Sequence, residues 1–151
     1  MKIIKQHLFL FLVLIFFSSL TSCEIFEDIL DDHKTSNRQK YIGVWQNDSL
    51  TTKIYSNGEL ISTTTQSLEG NTFEMRKNGT YTTANASGEV YLDGSWKLVC
   101  IEGQDQILLD KGTALERSYD VKLITKNKLV TNDKVAIDQN SYYDYTFTYY
   151  K

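Results

Sequence analysis

The chain has 151 residues, a formal charge of −3, ten tyrosines, no proline and two cysteines. With no basic run anywhere, nucleic acid and anionic lipid headgroups are poor candidates for partners. The two histidines, His7 and His33, leave none beyond residue 33 for a Ser-His-Asp triad, a Cys-His pair or a histidine zinc site.

Lys2 and Lys5 precede an unbroken apolar run from Leu8 to Phe17. This is a charged start followed by an apolar stretch too short for the ~20 residues of a spanning helix, and it predicts a secretory signal peptide over residues 1–22. Leu20-Thr21-Ser22-Cys23 then resembles the lipobox of bacterial lipoproteins. The resemblance implies cleavage before Cys23, acylation of its sulfur, and a mature protein held on the lipid bilayer by two or three chains, one chain alone binding only marginally. The outer membrane of a Gram-negative cell is the expected location, with the periplasmic and surface faces both open. A thioether at Cys23 leaves Cys100 unpartnered, and a lone cysteine in an exported domain is expected in the core as a small apolar residue.

Without residues 1–22 the chain loses Lys2 and Lys5, which leaves 14 basic against 19 acidic side chains. Residues 23–40 are polar and acidic. Their apolar residues Ile25, Phe26, Ile29 and Leu30 make one stripe on a short helix, with Glu24, Glu27, Asp28, Asp31 and Asp32 opposite. The segment is a tether with a helical turn or two. It also resembles the acidic export signals of surface-exposed lipoproteins in the Bacteroidetes, and the two readings stand together. Asp28, Asp31 and Asp32 lack the spacing and turn glycine of a calcium loop.

From Tyr41 to Lys151 turn signals arrive every 8 to 15 residues, among them Asn57-Gly58, Asn78-Gly79, Gly88, Gly103 and Gly112. Asn-Gly pairs favour the positive φ of tight hairpins, so the text predicts antiparallel strands joined in sequence. Ten segments result: 42–46, 50–55, 59–68, 71–77, 80–85, 89–100, 106–110, 117–125, 128–133 and 142–150. Alternation assigns the inner face to Phe73 and Met75; to Val90, Leu92, Gly94, Trp96, Leu98 and Cys100, in one strand or two with a bend at Gly94; to Tyr119, Val121 and Leu123; and to Tyr143, Tyr145, Phe147 and Tyr149. A meander of that length leaves two open edges unless it closes. An all-β, small up-and-down antiparallel barrel of about 8–10 strands is therefore expected over residues 41–151.

Gly43-Val44-Trp45 resembles the Gly-x-Trp that opens the first strand of lipocalins. The order that follows, Asn78-Gly79-Thr80-Tyr81, Gly94-Ser95-Trp96-Lys97-Leu98, Tyr119 to Thr125 and a Tyr-rich last strand, is similar to lipocalin-like domains of Bacteroidetes lipoproteins. The resemblance implies structural roles for both motif residues. Gly43 lets the chain enter the barrel closely, and Trp45 plugs the closed end beneath a late basic residue. The last strand has no arginine and only Lys151 at its end, which leaves that contact without a clear donor. The Thr-Asp-Tyr signature of typical lipocalins is missing.

No phosphate-cradling glycine loop or dinucleotide fingerprint is present, and no metal or cofactor is expected. The routes left to catalysis are a carboxylate pair such as Glu74 with Asp93, or the tyrosines, against the plainer reading of the carboxylates as solvated outer residues. The excess of tyrosine fits cross-strand packing, or a cavity lined by Phe73, Trp96, Tyr143 and Tyr145. The expected function is non-catalytic binding of a small hydrophobic or aromatic ligand by a monomer. The alternative is a side-chain-filled barrel contacting protein or glycan through loops near Thr63–Asn71 and Lys134–Ser141.

Overall fold

Alternating inward apolar and outward polar residues build nine antiparallel strands in a computed structural model that describes residues 37–151. The expected signal peptide, the lipobox-like segment with Cys23 and residues 24–36 of the expected tether lie outside the described residues. The strands are β1 (Gly43–Ser56), β2 (Glu59–Ser67), β3 (Thr72–Met75), β4 (Thr80–Ala84), β5 (Val90–Ile101), β6 (Gln104–Leu109), β7 (Arg117–Ile124), β8 (Lys128–Ala136) and β9 (Ser141–Tyr150). Each pairs with its sequence neighbour except at β2, and β9 returns to pair with β1. The upper half of β1 pairs with β2 and its lower end, Gly43 to Gln46, with β3. β2 and β3 thus form one broken stave, and the nine strands close an eight-staved barrel.

Three bulges explain where alternation in the sequence misleads. Residues 42–46 and 50–55, expected as two strands, belong to one, because β1 carries a register shift between Asn47 and Ser49. An extra residue resets the side-chain parity: Trp45 and Asn47 face inward below the bulge, and Leu50 faces inward above it. The ladder between β7 and β8 shifts between Val121 and Leu123, so Leu123 is 43% exposed and Ile124 packs against the core in its place. A third shift, between Thr83 and Ala84, lies opposite Tyr91 on β5.

The core comprises Tyr41, Trp45, Phe73, Met75, Tyr81, Trp96, Leu98, Ile107, Leu109, Leu129 and Tyr149. β5 is a single strand through Gly94, and it outruns this core at both ends. Val90 and Leu92 are therefore exposed, and so is Cys100, expected inside, because it stands next to the β5–β6 turn. Gly94 serves a close approach rather than a bend. A Cβ there would lie 2.1 Å from Asp110 Oδ1, whose carboxylate accepts from the Ser95 amide at 2.9 Å and from the Tyr81 hydroxyl at 2.8 Å. Burial, and then that carboxylate, raise the Tyr81 pKa and keep it a neutral donor.

Both ends of the described chain meet at the closed base. Trp45 is fully buried and donates its Nε1 hydrogen to the Tyr41 carbonyl at 2.7 Å. The Lys151 ammonium lies 4.2 Å from the centre of the Trp45 ring and donates to the carbonyls of Ile42 (2.9 Å) and Lys40 (3.3 Å). The cation expected over this tryptophan is thus supplied by the last residue. Burial lowers the Lys151 pKa, while the ring face and two carbonyls favour its charged form. Trp96 is capped in the same way, with Arg38 4.7 Å from its ring centre and its Nε1 bonded to the Arg76 carbonyl at 2.9 Å.

Two substitutions test this frame. Lys151→Ala removes the ring contact and both carbonyl bonds at a partly solvated site, and should lower unfolding free energy by about 1 kcal/mol in urea titrations, with Lys151→Arg retaining most of it. Gly94→Ala should cost about 1–3 kcal/mol, because Asp110 must leave the two donors it satisfies, and the same titration reads it.

Candidate functional site

Aromatic residues from several staves converge on a cavity of about 270 Å³ inside the barrel. Asn47 and Leu50 of β1, Phe73 of β3, Thr83 of β4, Ile107 and Leu109 of β6, Tyr119 of β7, Thr131 of β8, and Phe147 and Tyr149 of β9 line it. The rings brace one another. Phe147 stacks on Tyr149 with centroids 6.3 Å apart, Tyr119 meets Phe147 edge-on at 5.8 Å, and Phe73 touches Tyr81 and Tyr149 at 5.8 Å each. Such contacts hold a wall in shape without a ligand to support it.

The broken stave provides the opening. β2 pairs with β1 alone, so the ladder to β4 is made only by β3, below the kink at residues 68–71. The kink is tied to the β1 bulge: the Leu68 amide donates to the Asp48 carbonyl at 3.0 Å, and the Asn47 amide to the Asn71 carbonyl at 2.8 Å. Gly70, at φ +88°, packs so closely on Ala86 of the β4–β5 turn that an added Cβ would lie 2.6 Å from the alanine Cβ. Leu68 and Asn71 from the kink, and Tyr91 and Leu92 from β5, complete the cavity wall. Tyr91 is 57% exposed, so the cavity meets solvent on this side.

Above the apolar zone the inner faces turn polar. Asp133 follows Thr131 on β8 and pairs across to Tyr145, while Arg117 precedes Tyr119 on β7. Burial raises the Asp133 pKa, the Arg117 charge and a backbone bond from Lys134 oppose the rise, and Asp120 adds to it. The Tyr119 hydroxyl is also raised, by burial first, with Arg117 lowering it and Asp133 raising it. An arginine, a carboxylate and a phenol thus act on one another at the upper rim.

Of the residues expected to line a cavity, Phe73 does so. Trp96 is instead a wall residue of the closed end beneath Arg38, and it is not among the lining residues. Tyr143 and Tyr145 stack on each other with centroids 5.6 Å apart. Their register opposite Val135 and Asp133 puts them on the inner face above the lining residues. Phe147 and Tyr149 carried the same alternating signal as those two tyrosines. Asn47 and Leu50 carried none, because the bulge between them hides their shared face. Glu74 pairs with Arg76, and Asp93 is exposed one ladder position beyond Thr82, itself opposite Glu74. The segments expected as long loops are about half strand: β2 runs to Ser67 and β8 to Ala136, leaving 68–71 and 137–140 as the connections.

The rim carboxylate yields a pH test. A folded-state pKa above the ordinary one means that ionised Asp133 costs stability at neutral pH. That cost is lost as pH falls through the raised value towards the ordinary 3.8. Asp133→Asn should therefore unfold at a higher temperature than the parent at pH 7, with the gap closing near pH 4 in thermal melts.

No protein-family model, curated protein or solved structure matches the chain.

Proposed function

We propose that this chain is a lipocalin-like lipoprotein, anchored through an acylated Cys23 to the outer membrane of a Bacteroidetes-type cell, that binds a small hydrophobic or aromatic molecule without chemical conversion. The observation that carries the reading is the apolar cavity of about 270 Å³, walled by Phe73, Tyr119, Phe147 and Tyr149 and opening at the broken stave. This volume lies just below the usual range for ligand pockets, roughly 300–1,000 Å³, and matches about nine water molecules at ~30 Å³ each. The aromatic walls suit a compact ring system. Gly43 and Trp45 support the lipocalin-like reading: Trp45 closes the base under Lys151, as the resemblance implies. Leu20-Thr21-Ser22-Cys23 supports the anchor.

A second reading, a surface module contacting protein or glycan, draws on β2. All nine of its residues are exposed, and it is paired on one edge only.

Titration with the neutral fluorophore N-phenyl-1-naphthylamine separates the two. Binding by the barrel predicts a saturable rise in fluorescence, and Leu50→Trp, which fills the cavity from its wall, should weaken uptake at least tenfold while retaining a cooperative thermal melt. No uptake by the parent protein would discard the carrier reading in favour of the β2 surface.

A further inference from the structure

One long edge of the barrel is left unpaired. β2 runs for nine residues and pairs with β1 alone, and among the described residues no backbone hydrogen bond meets it on its other side. The phase of the ladder says which groups are free. The Leu68 amide donates to the Asp48 carbonyl at 3.0 Å, and alternate residues of an antiparallel strand turn amide and carbonyl to the same side. Gln66, Thr64 and Ser62, opposite Leu50, Thr52 and Ile54, therefore bond to β1. Thr63, Thr65 and Ser67 present their amides and carbonyls to the open side.

Such an edge is ordinarily blunted by lysine, proline, a bulge or a covering loop. The run Ser62-Thr63-Thr64-Thr65-Gln66-Ser67 carries no charge and no proline. Its register against β1 is regular, the one irregularity lying above it beside Ile61. Every residue of the strand is exposed, so no loop lies over it. The branched side chain of threonine favours extended backbone, which keeps the free groups aligned for another strand.

Charge decides which strand fits. The chain is acidic, at −3, so two copies repel unless they meet where neither is charged. Antiparallel pairing of β2 with β2 of a second copy meets that condition. With Thr65 opposite Thr65 on the two-fold axis, Thr63 of each copy faces Ser67 of the other, and Thr64 faces Gln66. The outward residues then form hydrogen-bonded pairs, each exchanging two bonds, and threonine opposite threonine is a favourable cross-strand pair. Glu59, the one charged residue of the strand, falls beyond the paired run, opposite Asn71.

We propose that β2 pairs antiparallel with β2 of a second copy of this chain, with the two-fold axis at Thr65, to give a dimer whose sheet runs on from one barrel into the other. The proposal rests on the second reading, in which β2 is a contact surface, and supplies that surface with its partner. It is independent of what the interior binds. The barrel expected as a monomer becomes one half of a two-fold pair.

Sedimentation velocity of the purified protein over a range of concentrations tests the pairing. The parent should pass reversibly from monomer to dimer, at micromolar concentrations for so small an interface. Thr65→Pro removes an amide that β1 does not use, a change that an edge strand tolerates. It should weaken association by about tenfold or more while the thermal melt stays cooperative. Thr65→Lys and Thr65→Glu should each lose association, because like charges then oppose each other on the axis, and a mixture of the two should regain it. A parent that stays monomeric overturns the dimer, and so does a dimer indifferent to both charge variants. In either case a fluorescein-labelled Thr-Val-Thr-Val-Thr-Val peptide, followed by anisotropy, separates the two readings: binding leaves β2 as a surface for other strands, and no binding overturns that reading as well. The charge variants decide the matter even if Thr65→Pro fails to fold.

Discussion

Closure of β9 onto β1 is the constraint on which the rest of the molecule depends. The ladder runs from Gln46 opposite Tyr150 to Ser56 opposite Ser141, joining the first strand to the last. Without it the sheet would have two long edges, and the aromatic faces of β9 would have no wall to face. Contacts of such sequence separation are expensive in chain entropy, and their reward arrives only when the ring is complete. The inner faces of β1 and β9 then become opposite sides of one interior corner, with Leu50 beside Phe147 and Asn47 beside Tyr149.

The base converts that closure into a stop. Trp45 and Trp96 are the bulky inner residues there, and each is covered by a cation from an end of the described chain, Lys151 on one and Arg38 on the other. Lys151 also takes up the carbonyls of Lys40 and Ile42, so the segment leading into the barrel is pinned by the segment leaving it. A turn at residues 38–41 precedes this contact, so the described chain enters the barrel at its closed end. The cavity opens elsewhere, at the break between β2 and β3.

Much of this frame was legible in the sequence, because alternation and turn chemistry are local. The all-β class, the closing meander, the inner faces of Phe73, Met75, Tyr143 to Tyr149, and the hairpins at Asn57-Gly58 and Asn78-Gly79 follow from them directly. What stayed hidden was non-local. A bulge is a relation between two strands, so the parity reset at Asp48 split β1 in two, and the shift before Leu123 sent that residue outward. Cys100 obeyed the inner parity of its strand and is nonetheless exposed, because the core ends before the strand does. Parity reports a face; it cannot report how far along the strand the interior extends.

The same bulges determine what kind of interior this barrel has. In an unbroken β1, the inward positions after Trp45 and Asn47 would be Ser49 and Thr51, and the cavity would carry a polar row along one stave. The shift at Asp48 turns Thr51 outward, where its hydroxyl meets Thr65 at 2.9 Å, and brings Leu50 inward. Asn47 stays on the wall below the shift, with Leu50 as the apolar lining residue above it. On β5 the shift beside Tyr91 brings Tyr91 and Leu92, adjacent in sequence, both onto the cavity wall, thickening the rim at the opening. Local insertions of single residues therefore place Leu50, Tyr91 and Leu92 on the cavity wall, positions that strict alternation along β1 and β5 would not have brought there together.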